Sequence, residues 1–452
     1  MKLFSQNKNY KLYQGNMLDM LEAIEPETID SIITDPPYEL NFMGKGWDNS
    51  GIAFQKETWQ KCYEALKQGG YLLAFGGSRT FHRIACAIED AGFEIRDTIM
   101  WLYGSGFPKS MNIGLAIDKK SGIDNRTGNI VKGVGSNNTN SMKNGLGENQ
   151  EFASEYEERI AQNEWQGWGT ALKPSFEPII VARKPFKGSL VDNVIEYGVG
   201  GINIDECRVE TNGELIDNHN TKGIPFMRDK EDYEENSRTK LNIGRFPANT
   251  ILTYDETDFD EVCGGFPNTK SQKTTGKLHD IRNGSFVGSS KQLDVEYERG
   301  YDDSGSASRY FYCAKASKKD RDEGLDEFEE KQKYYCDGRG NSLEIFGSTD
   351  GGRKPLKNIH PTVKPTELMQ YLVRLVSPDG ATILDPFNGS GSTGKAVMYE
   401  NRERNKNYKY IGIELTEEYL PIAKARIEYV CNLKEKKENQ TNIFDFIESD
   451  GE

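Results

Sequence analysis

The sequence predicts an α/β protein in which a mostly parallel sheet is built from the two ends of the chain around a loop-rich middle. Three observations predict it. Apolar runs of strand length alternate with segments of helical spacing over residues 11–103 and again over 366–430, the pattern of βαβ units. One strand-like run stops at Asp35-Pro36-Pro37-Tyr38 and another runs into Asp385-Pro386-Phe387-Asn388-Gly389-Ser390-Gly391-Ser392-Thr393-Gly394. Between them, from Gly188 to about residue 358, short aromatic and β-branched runs alternate with Gly, Asn, Asp and Lys turns, without helical periodicity.

In chain order, Lys11–Asn16 reads as a strand and turn, with a helix starting at Met17. Ile29–Thr34 is a β-branched run that reads as a buried strand, and the two prolines that follow end it in a rigid loop. Thr58–Leu66 has helical spacing and ends at Gly69-Gly70, Tyr71–Phe75 is a strand, Arg79–Ala91 is an amphipathic helix, and Phe93–Tyr103 is a strand. After a Gly-, Asn- and Ser-rich stretch, Lys173–Lys184 reads as a strand that leads to basic residues. The last part gives a helix over Thr366–Val376, a strand at Thr382–Leu384, a helix from Gly394, a strand at Tyr410–Glu414 and a helix over Tyr419–Val430. The expected divisions are 1–187, an insertion at 188–358, 359–432, and a charged tail at 433–452.

Composition bounds the function. The chain has 452 residues and a net charge of −14, so any nucleic-acid surface has to be a local basic patch. Seven cysteines without a C-x-x-C pair and four scattered histidines point to reduced thiols and no metal site. No apolar stretch approaches the ~20 residues of a membrane span, and a cytoplasmic location without membrane association is expected. Lys184 and the cluster Lys315, Lys318 and Lys319 are the candidates for such a patch; such a cluster is equally compatible with a solvated face.

The loop Asp35-Pro36-Pro37-Tyr38 follows a strand, where open α/β sheets bind ligands. It offers a carboxylate, backbone carbonyls beside prolines that carry no N–H, and one aromatic ring. That set suits a planar amine on a planar ring. Asp35 and the Pro36 carbonyl can accept its two hydrogens while Tyr38 stacks on the face, and the held lone pair then becomes nucleophilic. Four residues alone are also compatible with a plain turn.

The second loop spells G-x-G-x-x-G (Gly389, Gly391, Gly394) between a strand and a helix, with Glu414 further on. A dinucleotide fold accounts for the glycines, but it leaves Asp385 where a pyrophosphate would be repelled. Asp385 suits a ligand with a cationic amino group, as in S-adenosylmethionine.

Together the two motifs resemble the amino methyltransferases of DNA, in the subclass where D-P-P-Y precedes the cofactor loop. The resemblance covers 11–187 and 359–427, and stretches such as Arg245-Phe246-Pro247-Ala248-Asn249 and Arg309-Tyr310-Phe311-Tyr312 are similar to phage and prophage methylases. It implies a seven-stranded, mostly parallel, Rossmann-like methyltransferase sheet with a large target-recognition insertion. In that sheet the strand at Lys11 stands third, after the strands of Asp385 and Glu414, and the strand before Asp35 is fourth. It also implies S-adenosylmethionine as methyl donor, double-stranded DNA as partner and adenine N6 as acceptor, in a restriction-modification setting. Asp35, Pro36, Pro37 and Tyr38 are the implied catalytic residues. Asp385, Phe387 and the glycines are implied to hold the methionine part and Glu414 the ribose, while His360-Pro361-Thr362-Val363-Lys364-Pro365 resembles a further cofactor motif through Thr362 and Lys364. Asn16 stands where Asp is usual, at the adenine contact. The alternatives are cytosine N4, for which Ser commonly replaces the Asp; protein glutamine, with Asn there; a nicotinamide-dependent oxidoreductase; and a DNA-binding module without catalysis.

Overall fold

The computed structural model describes residues 2–40, 46–103, 110–132, 155–210, 215–217, 240–241, 244–254, 266–270, 274–278, 295–301, 304–315, 318–330, 335–336, 342–343 and 357–433. Its central sheet has ten strands: β1 (Lys2–Gln6), β2 (Tyr10–Gln14), β3 (Ile29–Thr34), β4 (Leu66–Phe75), β5 (Glu94–Tyr103), β6 (Phe176–Arg183), β7 (Thr250–Tyr254), β8 (Tyr312–Lys315), β9 (Thr382–Asp385) and β10 (Lys409–Glu414). The spatial order is β1-β2-β10-β9-β3-β4-β6-β5-β7-β8. All neighbours are parallel except β1 against β2 and β6 against both β4 and β5.

The seven strands from β2 to β5 are the seven that the resemblance implies, with the Glu414 and Asp385 strands lying between the Lys11 strand and the strand before Asp35. The other three correct the strand count. β1 lies on the outer edge of β2, while β7 and β8, both inside 188–358, extend the far edge beyond β5. The run Thr250-Ile251-Leu252-Thr253 has the β-branched content of a strand, and Ile251 and Leu252 are fully buried. Four further strands of this stretch form a separate small sheet. Strand β4 begins at Leu66, upstream of Gly69-Gly70, so those glycines lie inside the strand at an irregular pairing with β3 and do not end the preceding helix.

Side-chain alternation sorts the core onto two faces. Ile33, Leu73 and Ile383 point to one face, where they meet α7 (Thr366–Val376), α8 (Ser392–Glu403) and α9 (Leu420–Asn432). Ile32, Leu72 and Leu384 point to the other, against α1 (Met17–Leu21), α2 (Lys56–Ala65) and α3 (Phe81–Asp90). With both faces covered, β3 is buried along its whole length, which accounts for its isoleucines on both faces. Helices α4 (Ile113–Lys120) and α5 (Leu190–Tyr197) lie on segments outside this sandwich core.

A short helix late in the insertion, α6 (Lys318–Asp322), docks on the layer of α7, α8 and α9. Asp320 accepts from the Thr366 N–H at 2.6 Å and so caps α7, and it also meets Lys395 of α8 at 2.6 Å. Lys395 is wholly buried, with Glu323 at 2.8 Å as a second carboxylate. Removing one partner of such a buried pair costs about 3–5 kcal/mol.

The chain turns outward in opposite directions after β3 and β9, to β4 on one side and β10 on the other. That is a topological switch point, so the loops that follow Thr34 and Asp385 meet at one edge.

Candidate active site

The loop Asp35–Tyr38 follows β3 and is held at its far end by Asp48, which accepts from Glu39 N at 2.9 Å and Leu40 N at 3.2 Å. Thr80 Oγ1 donates to the Tyr38 carbonyl at 2.8 Å. Pro36 is buried and Pro37 half-buried. Asp35 Oδ2 lies 2.7 Å from Lys364 Nζ, while Asp35 Oδ1 is buried with no hydrogen-bond partner. A buried acceptor without a donor costs about 1–3 kcal/mol, so this oxygen stands ready for a donor from outside the chain. The Tyr38 hydroxyl donates to Glu177 Oε2 at 2.7 Å, and burial together with Asp35 and Glu177 raises its pKa well above the usual value. It therefore stays a phenol.

Lys364, grouped by sequence with the cofactor residues, reaches Asp35, with Glu177 Oε2 at 3.2 Å and the Tyr38 hydroxyl at 3.1 Å. The aromatic rings of Tyr38, Phe75 and Trp101 surround its ammonium at 5.3, 4.9 and 5.8 Å. Burial lowers its pKa, but Asp35 and Glu177 outweigh that and raise it overall. Glu177, at the start of β6, also accepts from Tyr103 at 3.2 Å. Sequence reasoning passed over Glu177. The one signal was an acid beside proline at the mouth of an apolar strand.

The second loop is organised by Asp385. Thr34 Oγ1 donates to its Oδ1 at 2.7 Å, Phe387 N to Oδ1 at 3.1 Å and Thr393 Oγ1 to Oδ2 at 2.6 Å. Asp385 thus ties the last residue of β3 to the first turn of α8. Burial pushes its carboxyl up to about 6, against the lowering effect of the threonines. Glu414 accepts from Gly389 N and Thr416 N, each at 2.7 Å, and burial pushes it up to about 7. Each of its oxygens keeps a lone pair that can accept from ligand hydroxyls.

Gly391 caps α8 with φ +75°, a conformation that favours glycine. A Cβ at Gly394 would strike Tyr410 at 2.5 Å, and one at Gly389 would strike the His360 ring at 2.9 Å. Phe387 tilts against Trp59 at 6.5 Å. His360 is held by the Thr362 carbonyl, and its burial pushes the imidazole down to about 3, so it is neutral. Thr362 itself is exposed. Asn16 caps α1 by accepting from Leu18 N at 2.9 Å, next to the contact of Gly15 N with the Glu414 carbonyl.

The candidate DNA contacts divide. Lys184 is buried, lies 3.1 Å from Glu27, donates to the Leu66 carbonyl at 2.7 Å and sits over the Tyr63 ring. Protein groups occupy its ammonium, which corrects the expectation of a phosphate contact there. Lys315 ends β8 and Lys318 and Lys319 open α6, but their side chains lie outside the described residues. Among the described residues no cluster of three or more His, Cys, Asp or Glu side chains forms a metal site, and no helix is long and apolar enough to cross a membrane.

Comparisons with known proteins agree with the geometry. Type II methyltransferase M.HindIII of Haemophilus influenzae is 26% identical over 151 residues, covering 32% of this chain and 37% of that protein. Type II methyltransferase M2.DpnII of Streptococcus pneumoniae is 39% identical over 83 residues, 18% of this chain and 26% of that protein. The matches to these curated relatives thus span well under half of their length. The crystal structure of M1.HpyAVI aligns with 92% of this chain and 98% of its own at 14% identity, with a TM-score of 0.35, too loose a likeness to bear on function. The DNA methylase family N6_N4_Mtase matches residues 29–425, from β3 through both loops to α9, and the chain belongs to that family.

Proposed function

We propose that the protein transfers a methyl group from S-adenosylmethionine to the exocyclic amine of a base flipped out of double-stranded DNA, with adenine N6 as the acceptor. The observation that carries this reading is Asp35 Oδ1, a buried carboxylate oxygen without a donor, in a loop that Asp385 locks to the glycine loop. A paired amine lies inside the duplex, so the base has to leave the stack to meet it.

The site suits the donor. Two buried carboxylates with raised pKa values favour a ligand that brings positive charge and hydroxyl donors, whereas a dinucleotide would bring a pyrophosphate to repel them. Asp385 and the glycine loop would hold the methionine part, and Glu414 the ribose hydroxyls. S-adenosylmethionine supplies an electrophilic methyl carbon on a sulfonium.

The rest is work for this chain. Asp35 Oδ1 and the Pro36 carbonyl accept the two amine hydrogens, Tyr38 packs on the base, and the nitrogen lone pair is thereby directed outward. Asp35 is also the nearest base for the proton that the nitrogen sheds. An acid at this position supports adenine over cytosine, because the family commonly has Ser there for cytosine N4.

Long-read methylation mapping of DNA from cells expressing the protein, with mass spectrometry of the digested nucleosides, tests the reading. N6-methyladenine at one sequence motif is the expected result. N4-methylcytosine would overturn the base assignment, and unmodified DNA from cells with folded protein would overturn the reading.

A further inference from the structure

We infer that Lys364 and Glu177 form a positioning pair for the reaction, in which Lys364 pins one oxygen of Asp35 and cancels the charge of Glu177 so that the other oxygen remains an anionic acceptor aimed at the base. The inference rests on the proposed methyl transfer and adds two residues to it. Lys364 bonds Asp35 only through Oδ2, at 2.7 Å, and this leaves Oδ1 as the free acceptor. The same ammonium meets Glu177 Oε2 at 3.2 Å, so a single cation stands between two carboxylates. The Lys364 side chain is 7% exposed, and three aromatic rings wall it in, so solvent does little to screen the three charges.

The groups facing this cation come from four elements. They are Asp35 and Tyr38 from the loop after β3, Glu177 from β6, Tyr103 from β5 and, beyond Asp35, Asp385 from β9. The two tyrosines stay protonated, because burial raises both. Without Lys364, two half-buried carboxylates would stand together with no cation, and like charges there favour holding one proton between them. A protonated Asp35 offers a donor where an acceptor is needed. Glu177 has its own task, since it holds the Tyr38 hydroxyl at 2.7 Å and so fixes the ring beside the base.

The pair is separable from the cofactor residues. Lys364 has no hydrogen bond or ion pair to Asp385, Glu414 or the glycine loop; its polar partners are Asp35, Glu177 and Tyr38.

The test uses the full-length protein as wild type, Lys364→Met, and the double variant Lys364→Met/Glu177→Gln. Single-turnover methyl transfer to a DNA duplex carrying the mapped motif is followed from pH 5.5 to 9, alongside calorimetric binding of S-adenosylmethionine. Lys364→Met is expected to lose on the order of 100-fold in rate at pH 7, with cofactor affinity within about twofold, and to show an acid limb moved to higher pH. The double variant removes one carboxylate and should recover about tenfold, with the limb moved back. A wild-type rate and profile in Lys364→Met, or a double variant no faster than the single with the same limb, overturns the inference.

Thermal unfolding tests it without turnover. A carboxyl whose folded pKa is raised contributes stability below its unfolded pKa and loses it as pH rises through the folded one. Lys364→Met should therefore lose more stability than wild type between pH 5 and 8, and the double variant no more than wild type. Equal pH dependence in the two overturns the inference, whereas a wild-type protein that methylates no DNA overturns only the proposed function.

Discussion

The two loops at the switch point are built on the same plan and finished differently. Each leaves a buried parallel strand through an Asp-Pro pair. In the loop after β9, both oxygens of Asp385 have donors, and Asn388 bonds Tyr410 at 2.8 Å and the Ile413 carbonyl at 2.9 Å. In the loop after β3, one oxygen of Asp35 is left without a donor and the other is tied to a single lysine. The first loop is a closed scaffold, and the second is preorganised with an open valence. Of the two carboxylates, that of Asp385 braces the protein through both oxygens, whereas that of Asp35 keeps one oxygen without a donor.

Replacing Asp35 with Ala should break the comparison most sharply. It removes an acceptor at the amine and nothing at the glycine loop, so turnover should fall by about 10³-fold or more while calorimetric cofactor affinity stays within about twofold. Normal turnover in this variant would sink the assignment of the open oxygen.

Asp385→Ala should do the reverse. It strands Thr34, Thr393 and the Phe387 N–H, so cofactor affinity and unfolding stability should each drop by about 1–3 kcal/mol. If calorimetry and thermal melts match wild type, the loop is not held by this carboxylate.

The pH dependence of cofactor binding sharpens the contrast further. Burial raises Asp385 to about 6 and Glu414 to about 7, and a ligand bearing a cation and hydroxyls prefers both ionised. Affinity should therefore increase as pH rises from 5 to about 7.5 and then level off, by up to about tenfold per unit for each group that titrates. The ligand-free protein should do the opposite and lose stability over the same rise. A flat calorimetric profile would mean that neither carboxyl meets the ligand.

The smallest effect is reserved for Lys184→Met. Its ammonium serves Glu27 and the Leu66 carbonyl, so stability should fall by about 1 kcal/mol while DNA affinity and its salt slope stay as in wild type. A shallower salt slope, by about one neutralised phosphate, would return Lys184 to the DNA surface.

Much of this architecture was legible in the chain. The Asp-Pro motifs, the glycines and the alternation of strand and helix gave the central seven strands, because buried parallel strands carry their signal locally. Helix α7 falls on the span Thr366–Val376 read from its spacing. Strands β7 and β8 were less legible. Thr250–Tyr254 is apolar enough for a strand, but the partner that makes it one, β5, lies far away in sequence. Lys364 and Glu177 show the same limit within the site. A lysine in a proline-rich turn and an acid before a proline become meaningful only when folding sets them 3.2 Å apart.

The sheet order also has a cost during synthesis. β2 and β3 are 14 residues apart at their nearest by chain, yet β10 and β9 lie between them in the sheet, and the bond from Thr34 to Asp385 spans 351 residues. At translation rates of roughly 5–20 residues per second, that interval is on the order of 20–70 s. Throughout it, the inner edges of β2 and β3 have no partners, and unpaired edges of apolar strands invite association with other chains. The loop Asp35–Tyr38 is made long before the strand of Asp385 that completes its surroundings, so the yield of folded protein should depend on how well the earlier-made strands are shielded in that interval.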